Sequence, residues 1–169
     1  MPIMKKLLLT TFVLVFTLSS VNAQKIGVLS GITSLQNAGD LDSDSETGFH
    51  LGVFTEFDLF DTYSIQPELT YSSVDEEDMI SVNGIFKMSV SDNFNLQAGP
   101  QIGFFLGDAF DGDDFTKLNF QLAFGAGFDI SDNLIAQIRY GVQLNNHYTG
   151  DADFNAKVNA LSVSLGYRF

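Results

Sequence analysis

The sequence has no cysteine, no tryptophan, three prolines and two histidines, and it is short of positive charge: 8 Lys and Arg stand against 21 Asp and Glu in 169 residues. Without cysteine there can be no disulfide framework, thiolate metal site, cysteine nucleophile or lipid-modified lipoprotein cysteine. A net charge of -13 removes the cationic surface that binding to nucleic acid or anionic lipid requires. Beyond the N-terminus, polar residues interrupt every apolar run well before the ~20 residues of a membrane-spanning helix. What is present in quantity is phenylalanine, 17 residues, and glycine, 15, in a chain that is 45% apolar. That apolar content belongs to a folded chain despite the acidity, and the length suits one domain with a real core.

The first residues have a three-part order. Lys5 and Lys6 precede an apolar stretch from Leu7 to Leu18, and Ser19, Ser20, Val21, Asn22 and Ala23 then end in a Val-x-Ala pattern. A basic start, a short apolar run and small residues predict a secretory signal peptide cleaved after Ala23. The expected organisation is therefore a signal peptide over 1–23 and one domain over 24–169. Loss of the leader removes two lysines and leaves the exported chain still more acidic.

Period-two alternation dominates the remainder. Leu161, Val163, Leu165, Tyr167 and Phe169 alternate with Ser162, Ser164, Gly166 and Arg168; the stretch from Leu118 to Ile130 repeats the pattern. A helix would scatter these apolar residues around its circumference, so the segments are strands. Eight are predicted, over 25–32, 48–59, 64–73, 79–90, 94–107, 117–130, 134–144 and 159–169. Short turns at 60–63, 91–93 and 131–133 alternate with longer loops at 33–47, 74–78, 108–116 and 145–158. The last two turns are the same tripeptide, Ser91-Asp92-Asn93 and Ser131-Asp132-Asn133. An even number of strands with short turns at one end and long loops at the other predicts an all-β, eight-stranded antiparallel up-and-down transmembrane barrel.

The distribution of charge selects lipid as the solvent of the apolar face. That face carries no charged residue, whereas Lys25, Glu56, Asp58, Glu68, Lys87, Asp129, Arg139 and Arg168 fall on the other. A charge facing lipid at mid-depth costs about 2–4 kcal/mol; a soluble barrel would place its apolar face inside and its charges in water. An eight-stranded barrel has an interior just wide enough for side chains to fill it. Gly99, Gly103, Gly125, Gly127, Gly141 and Gly166 supply small inward positions, and Phe54, Ile85, Phe105 and Ile135 interrupt the polar face as local packing. Phe57, Tyr63, Phe94, Phe128 and Phe169 near strand ends supply the interfacial aromatic girdle.

Several segments carry a resemblance. Gly48-Phe49-His50-Leu51-Gly52-Val53-Phe54, Ser64-Ile65-Gln66-Pro67-Glu68-Leu69-Thr70-Tyr71, Leu96-Gln97-Ala98-Gly99-Pro100-Gln101-Ile102-Gly103 and the closing Leu161 to Phe169 are similar to the outer-membrane β-barrel domain family often called PorT-like, small barrels of the OmpA/OmpX architecture. The resemblance covers the whole chain after the leader. It implies an integral protein of the cell outer membrane, with no shared catalytic motif. The ending Tyr167-Arg168-Phe169 resembles the aromatic C-terminal signal, carried by Tyr167 and Phe169, that outer-membrane assembly machinery reads. Pro67 and Pro100 each remove a ladder donor, so a bulge or broken pairing is expected at both.

Candidate sites follow from the faces. Glu56 and Glu68 point inward from neighbouring strands, with Lys87 and Arg139 as the nearest counter-charges; an ion-pair cluster of these four is expected to plug the lumen, since unpaired buried charges are costly. Fourteen acids fall in the predicted extracellular loops. Asp40, Asp42, Asp44 and Glu46 have the alternate spacing that begins many calcium loops, and Asp111 and Asp113 lie close together, which makes weak divalent-cation sites. No EF-hand glycine or distal glutamate accompanies them. His50 is expected as a polar lumen filler and His147 as an exposed loop residue; Ser72 or Ser73 with His147 and a loop acid has no motif to fix a catalytic geometry. The sequence therefore points to a monomeric, non-enzymatic barrel without cofactor, in contact with outer-membrane lipids, with a structural or surface-interaction role for its acidic loops. The alternative is a narrow barrel that binds or transports a small solute or hydrophobic ligand.

Overall fold

The computed structural model describes residues 24–39, 45–75, 77–107, 112, 114–151 and 153–169. All their regular structure is strand: β1 (Gln24–Gly39), β2 (Ser45–Phe60), β3 (Tyr63–Val74), β4 (Glu77–Ser89), β5 (Phe94–Phe105), β6 (Leu118–Asp129), β7 (Leu134–Gln143) and β8 (Ala156–Arg168). Each pairs antiparallel with the next, and β1 with β8 closes the barrel from Gly27↔Arg168 to Gly39↔Ala156. Closure leaves no unpaired edge, the condition for strands to cross a bilayer.

The alternation places one residue in two inside. Phe49, Leu51, Val53, Leu69, Val82, Ile102, Phe124, Ile138 and Leu165 all face out. Such residues surround the barrel, whereas soluble monomers expose apolar patches of only a few hundred Å². The outer surface is made for lipid. Tyr63 stacks on Phe86 at 5.5 Å between ring centroids, and Tyr167 meets Phe169 edge-on at 5.5 Å, both in the girdle at the short-turn end.

Two hairpins differ from the sequence expectation. The predicted loop over 33–47 is largely ladder, with β1 and β2 paired up to Gln36↔Ser45; β8 likewise starts at Ala156 rather than 159. The polar residues here broke the alternation because the barrel wall continues beyond the bilayer, where its outer face is wet. Glu46, Glu77 and Asp78, expected in loops, lie on these strand ends. Between β3 and β4 the turn is tight, and Asp75 takes the left-handed conformation (φ 43°) that a two-residue hairpin needs.

The prolines break pairing without shifting register. The β2–β3 ladder runs from Phe54↔Glu68 to Phe57↔Ile65 with no pair opposite Pro67, and β4–β5 skips from Asn83↔Gln101 to Phe86↔Ala98 beside Pro100. The register irregularity is elsewhere, at Asp58/Phe60. Short turns are tied to the neighbouring hairpin: Asn93 accepts from the Asp129 amide at 2.8 Å and its side chain donates to the Asp129 carbonyl at 2.9 Å, and Asn133 does the same with Arg168 at 2.7 and 2.8 Å. The repeated tripeptide thus makes a repeated two-point clamp.

Candidate functional site

The lumen is filled in tiers. Nearest the short turns, Glu56 on β2 accepts from Lys87 Nζ on β4 at 2.6 Å and from Arg168 Nη2 on β8 at 3.3 Å; Arg168 also donates to Asp129 at 3.0 Å. Lys25 stands at the mouth, 3.9 Å from Glu56 and 3.7 Å from Asp58. Leu29, Phe54 and Ile135 pack together as a small apolar cluster inside the barrel. Gly27 makes that possible, since a Cβ there would run into the Phe54 ring.

At mid-lumen Arg139 on β7 forks onto Glu68 on β3, Nη1 to Oε2 and Nη2 to Oε1, both at 2.8 Å. Its Nε donates to Gln97 and Nη2 also to Gln137, each at 2.6 Å. Gln66 and Asn83 donate to the Glu68 carboxylate at 2.6 and 3.1 Å. A desolvated ion pair is tolerable only when its remaining donors and acceptors are satisfied, and the amides around this one do that. Gly125, on the strand beside β7, leaves room for it: a Cβ would come within 2.8 Å of Arg139 Cγ. Gln66 joins the two tiers, its Oε1 accepting from Lys87 at 3.2 Å.

The long-loop end is closed differently. Leu35, Val74, Met79, Phe105 and Val158 meet inside the barrel as an apolar stopper. His147, from the connection after β7, lies over it, with its Nδ1 2.7 Å from the Thr116 carbonyl and its ring edge-on to Phe105 at 5.6 Å. Its amide donates to the Ala156 carbonyl, and its carbonyl accepts from the Thr116 amide. Burial holds the imidazole below its ordinary pKa, with the Thr116 carbonyl pulling the other way. Between stopper and Glu68–Arg139 pair lies a polar chamber of about 60 Å³. His50 stands in its wall, hydrogen-bonded with Thr33 and Ser164, both at 2.8 Å.

The four residues expected as one cluster thus form two pairs, Glu56 with Lys87 and Glu68 with Arg139, joined through an amide. Sequence reasoning left Arg168 and Asp129 out of the cluster, although it placed both on the inward face; only the β1–β8 closure, which pairs Arg168 with Gly27, carries Arg168 round to Glu56. Phe54, Ile85, Phe105 and Ile135 are inside as expected. His147 corrects the expectation: it is fully buried, because its loop folds inward and pairs its backbone across the mouth. Ser72 lines the chamber, and Ser73 pairs with Asp78 at the strand end. Asp40, Asp42, Asp44, Asp111 and Asp113 lie outside the described residues, as does cleavage after Ala23. Glu46 sits on β2 opposite Leu35, and among the described residues no group of three metal-ligating side chains is assembled.

A closed antiparallel barrel with a lipid-facing apolar surface and its charges kept to the lumen and the two ends is a transmembrane barrel of the outer-membrane type. The chain belongs to the outer membrane protein β-barrel domain family, whose model matches residues 8–169, and its place is the outer membrane. No curated protein is significantly similar to it in sequence. Its fold is similar to that of the outer membrane enzyme PagL (TM-score 0.57, 18% identity, 84% of this chain and 98% of that one). It is also similar to Neisserial surface protein A (0.56, 12%, 85% and 97%) and to Ail, the attachment invasion locus protein of Yersinia pestis (0.50, 19%, 86% and 98%). At these identities the likeness is one of fold, and one architecture serves an enzyme, a surface protein and an attachment protein.

Proposed function

We propose that the exported chain, cleaved after Ala23, is a monomeric, closed and non-enzymatic outer-membrane barrel whose acidic outer rim makes its contacts at the cell exterior. The observation that carries this reading is the Glu68–Arg139 pair with Gln97 and Gln137 packed around it, which fills the mid-lumen from three strands and leaves the rim as the part free to act. Both histidines support the non-enzymatic part: His50 is held inside the lumen by Thr33 and Ser164, and His147 lies beneath the loops, where a lipid substrate does not reach them. Tyr167 and Phe169 serve the assembly machinery as the C-terminal signal. Divalent cations bind weakly at the rim acids, Asp40, Asp42, Asp44 and Glu46 with Asp111 and Asp113.

The alternative of a solute-binding or transporting barrel has less support. Ligand pockets measure about 300–1,000 Å³, and the lumen chamber has about 60 Å³. Reconstitution into planar bilayers tests the main reading: the protein is expected to be electrically silent. Steady channel conductance, or a solute that co-purifies in stoichiometric amount, would favour the alternative.

A further inference from the structure

The barrel mouth at the short-turn end holds a cavity of about 520 Å³, lined by the β2–β3 turn and by the buried Glu56, Lys87 and Arg168. Its size falls in the range of small-ligand pockets, about 300–1,000 Å³. Three side chains bring unused hydrogen-bond donors to it. Asn95, 5% exposed, is one. Gln97 Oε1 accepts from Arg139, so it is Gln97 Nε2 that meets Asn95 Oδ1, at 2.8 Å, and the Asn95 Nδ2 protons have no partner among the described residues. Arg168, also 5% exposed, gives Nη2 to Glu56 and Asp129, while its Nη1 has no partner among the same residues. Lys25 Nζ, 3.9 Å from Glu56 and 3.7 Å from Asp58, is beyond hydrogen-bonding distance of both.

The same cavity carries a surplus of the opposite charge. Glu56, Asp58, Asp61 and Asp129 line it against Lys25, Lys87 and Arg168, one carboxylate too many. Asp61, in the turn between β2 and β3, is exposed and has no partner among the described residues. An anion alone would therefore enter a mouth of net negative charge. A cation alone would leave the donors of Asn95, Arg168 and Lys25 unanswered. A ligand with both an oxyanion and an ammonium answers both sets, because ammonium, guanidinium and amide N–H groups only donate and a carboxylate only accepts. Hydrogen bonds between ionised groups are also the stronger kind.

We propose that this mouth is a binding site for a small zwitterion, its oxyanion held by Arg168, Asn95 and Lys25 and its ammonium by Asp61. The chemistry is shared by free compounds that join an ammonium to a phosphate or carboxylate and by the headgroup of an ethanolamine lipid. The ligand enters and leaves from one side, so the site needs no path through the barrel. It goes beyond the surface role proposed above, since it lies at the end opposite the acidic rim and holds whatever the rim contacts.

The test uses folded protein in octyl glucoside, whose headgroup is uncharged, with folding checked by heat-modifiable gel migration. O-phosphoethanolamine should bind at millimolar concentration by calorimetry and shift the Asn95 side-chain amide resonances. Ethyl phosphate, which lacks the ammonium, should bind about three- to fivefold more weakly, the worth of one exposed ion pair. Ethanolamine, which lacks the oxyanion, should lose about tenfold or more. Asp61→Asn should weaken O-phosphoethanolamine by the smaller factor without weakening ethyl phosphate, whereas Lys25→Ala should weaken both. Both residues are exposed, so neither change threatens the fold. Bilayers of phosphatidylglycerol with and without phosphatidylethanolamine separate the sources. An Asn95 shift caused by the second lipid assigns the site to a headgroup, and a shift caused only by the soluble compound assigns it to a free ligand. No binding at millimolar concentration, ethyl phosphate or ethanolamine binding as tightly as O-phosphoethanolamine, or an unmoved Asn95 amide would overturn the proposal.

Discussion

Towards the short turns the lumen is closed by Glu56, Lys87, Arg168, Glu68 and Arg139, bonded to one another and to four amide side chains, whereas towards the long loops it is closed by Leu35, Val74, Met79, Phe105 and Val158 with His147 above them. The ionic half depends on direction: each charge has a partner at hydrogen-bonding distance, and removal of one strands another in a low-dielectric space. The apolar half depends on volume, and its members need only fill the space. The difference teaches that a barrel too narrow for solvent can be closed by either chemistry, but that the two closures should fail in different ways.

The largest effect is expected at the ionic end. Arg139→Ala leaves Glu68 buried without its guanidinium and should lower unfolding stability by about 3–5 kcal/mol, read from denaturant titration in lipid vesicles. Glu68→Leu combined with Arg139→Leu removes both charges and should recover most of that loss. If the double variant is as unstable as the single one, the cost lies in packing rather than in the lone charge, and the contrast between the two ends collapses. At the apolar end, Phe105→Ala should cost about 3 kcal/mol as a cavity, and Phe105→Leu much less. A polar replacement of the same size that is no worse than leucine would show that the stopper is not apolar by requirement.

The legibility of the two ends from sequence also differs, and for a physical reason. Glu56, Glu68, Lys87 and Arg139 were readable because lipid forbids charge on one face, so a charge in an alternating strand declares its direction. That rule assigns direction but not partners. It could not separate Glu56–Lys87 from Glu68–Arg139, nor bring Arg168 to Glu56, because partnership depends on the stagger by which the strands close. The stopper was half-readable: Phe105 stood out as an apolar residue on a polar face. Leu35 and Val158, however, lie where the wall leaves the bilayer and the alternation lapses, so both fell within predicted loops. His147 was unreadable, since loop burial has no periodic signature.

A smaller effect tests how the ionic tier is positioned. Asn133 clamps the backbone of Arg168 from the turn between β6 and β7. Asn133→Ala loses the side-chain half of that clamp and should cost ~1 kcal/mol, the net worth of one hydrogen bond. Asn93→Ala, the same change at the other copy of the tripeptide, releases Asp129 and should cost about as much by the same measure. A markedly larger loss at Asn133 would mean that it holds Arg168 against Glu56 as well as tying two hairpins together.

The smallest effect is expected at the outer end and comes from pH. Burial depresses the His147 pKa below the ordinary imidazole value of about 6.5, so the closed loop favours the neutral ring and the opened loop binds the extra proton. As pH falls through 6.5 towards the lower folded value, the opened state gains protons that the closed state does not take up, and the latch weakens; below the folded value the loss levels off. Hydrogen exchange at the Thr116 and His147 amides, which close the latch, should therefore be more protected at roughly pH 7.5 than at 5.5 after correction for intrinsic rates. His147→Gln keeps a polar ring-sized side chain that does not titrate and should flatten the profile. Equal protection at both pH values in the parent would remove His147 as a determinant of the outer closure and leave Phe105 and its apolar neighbours to hold that end alone.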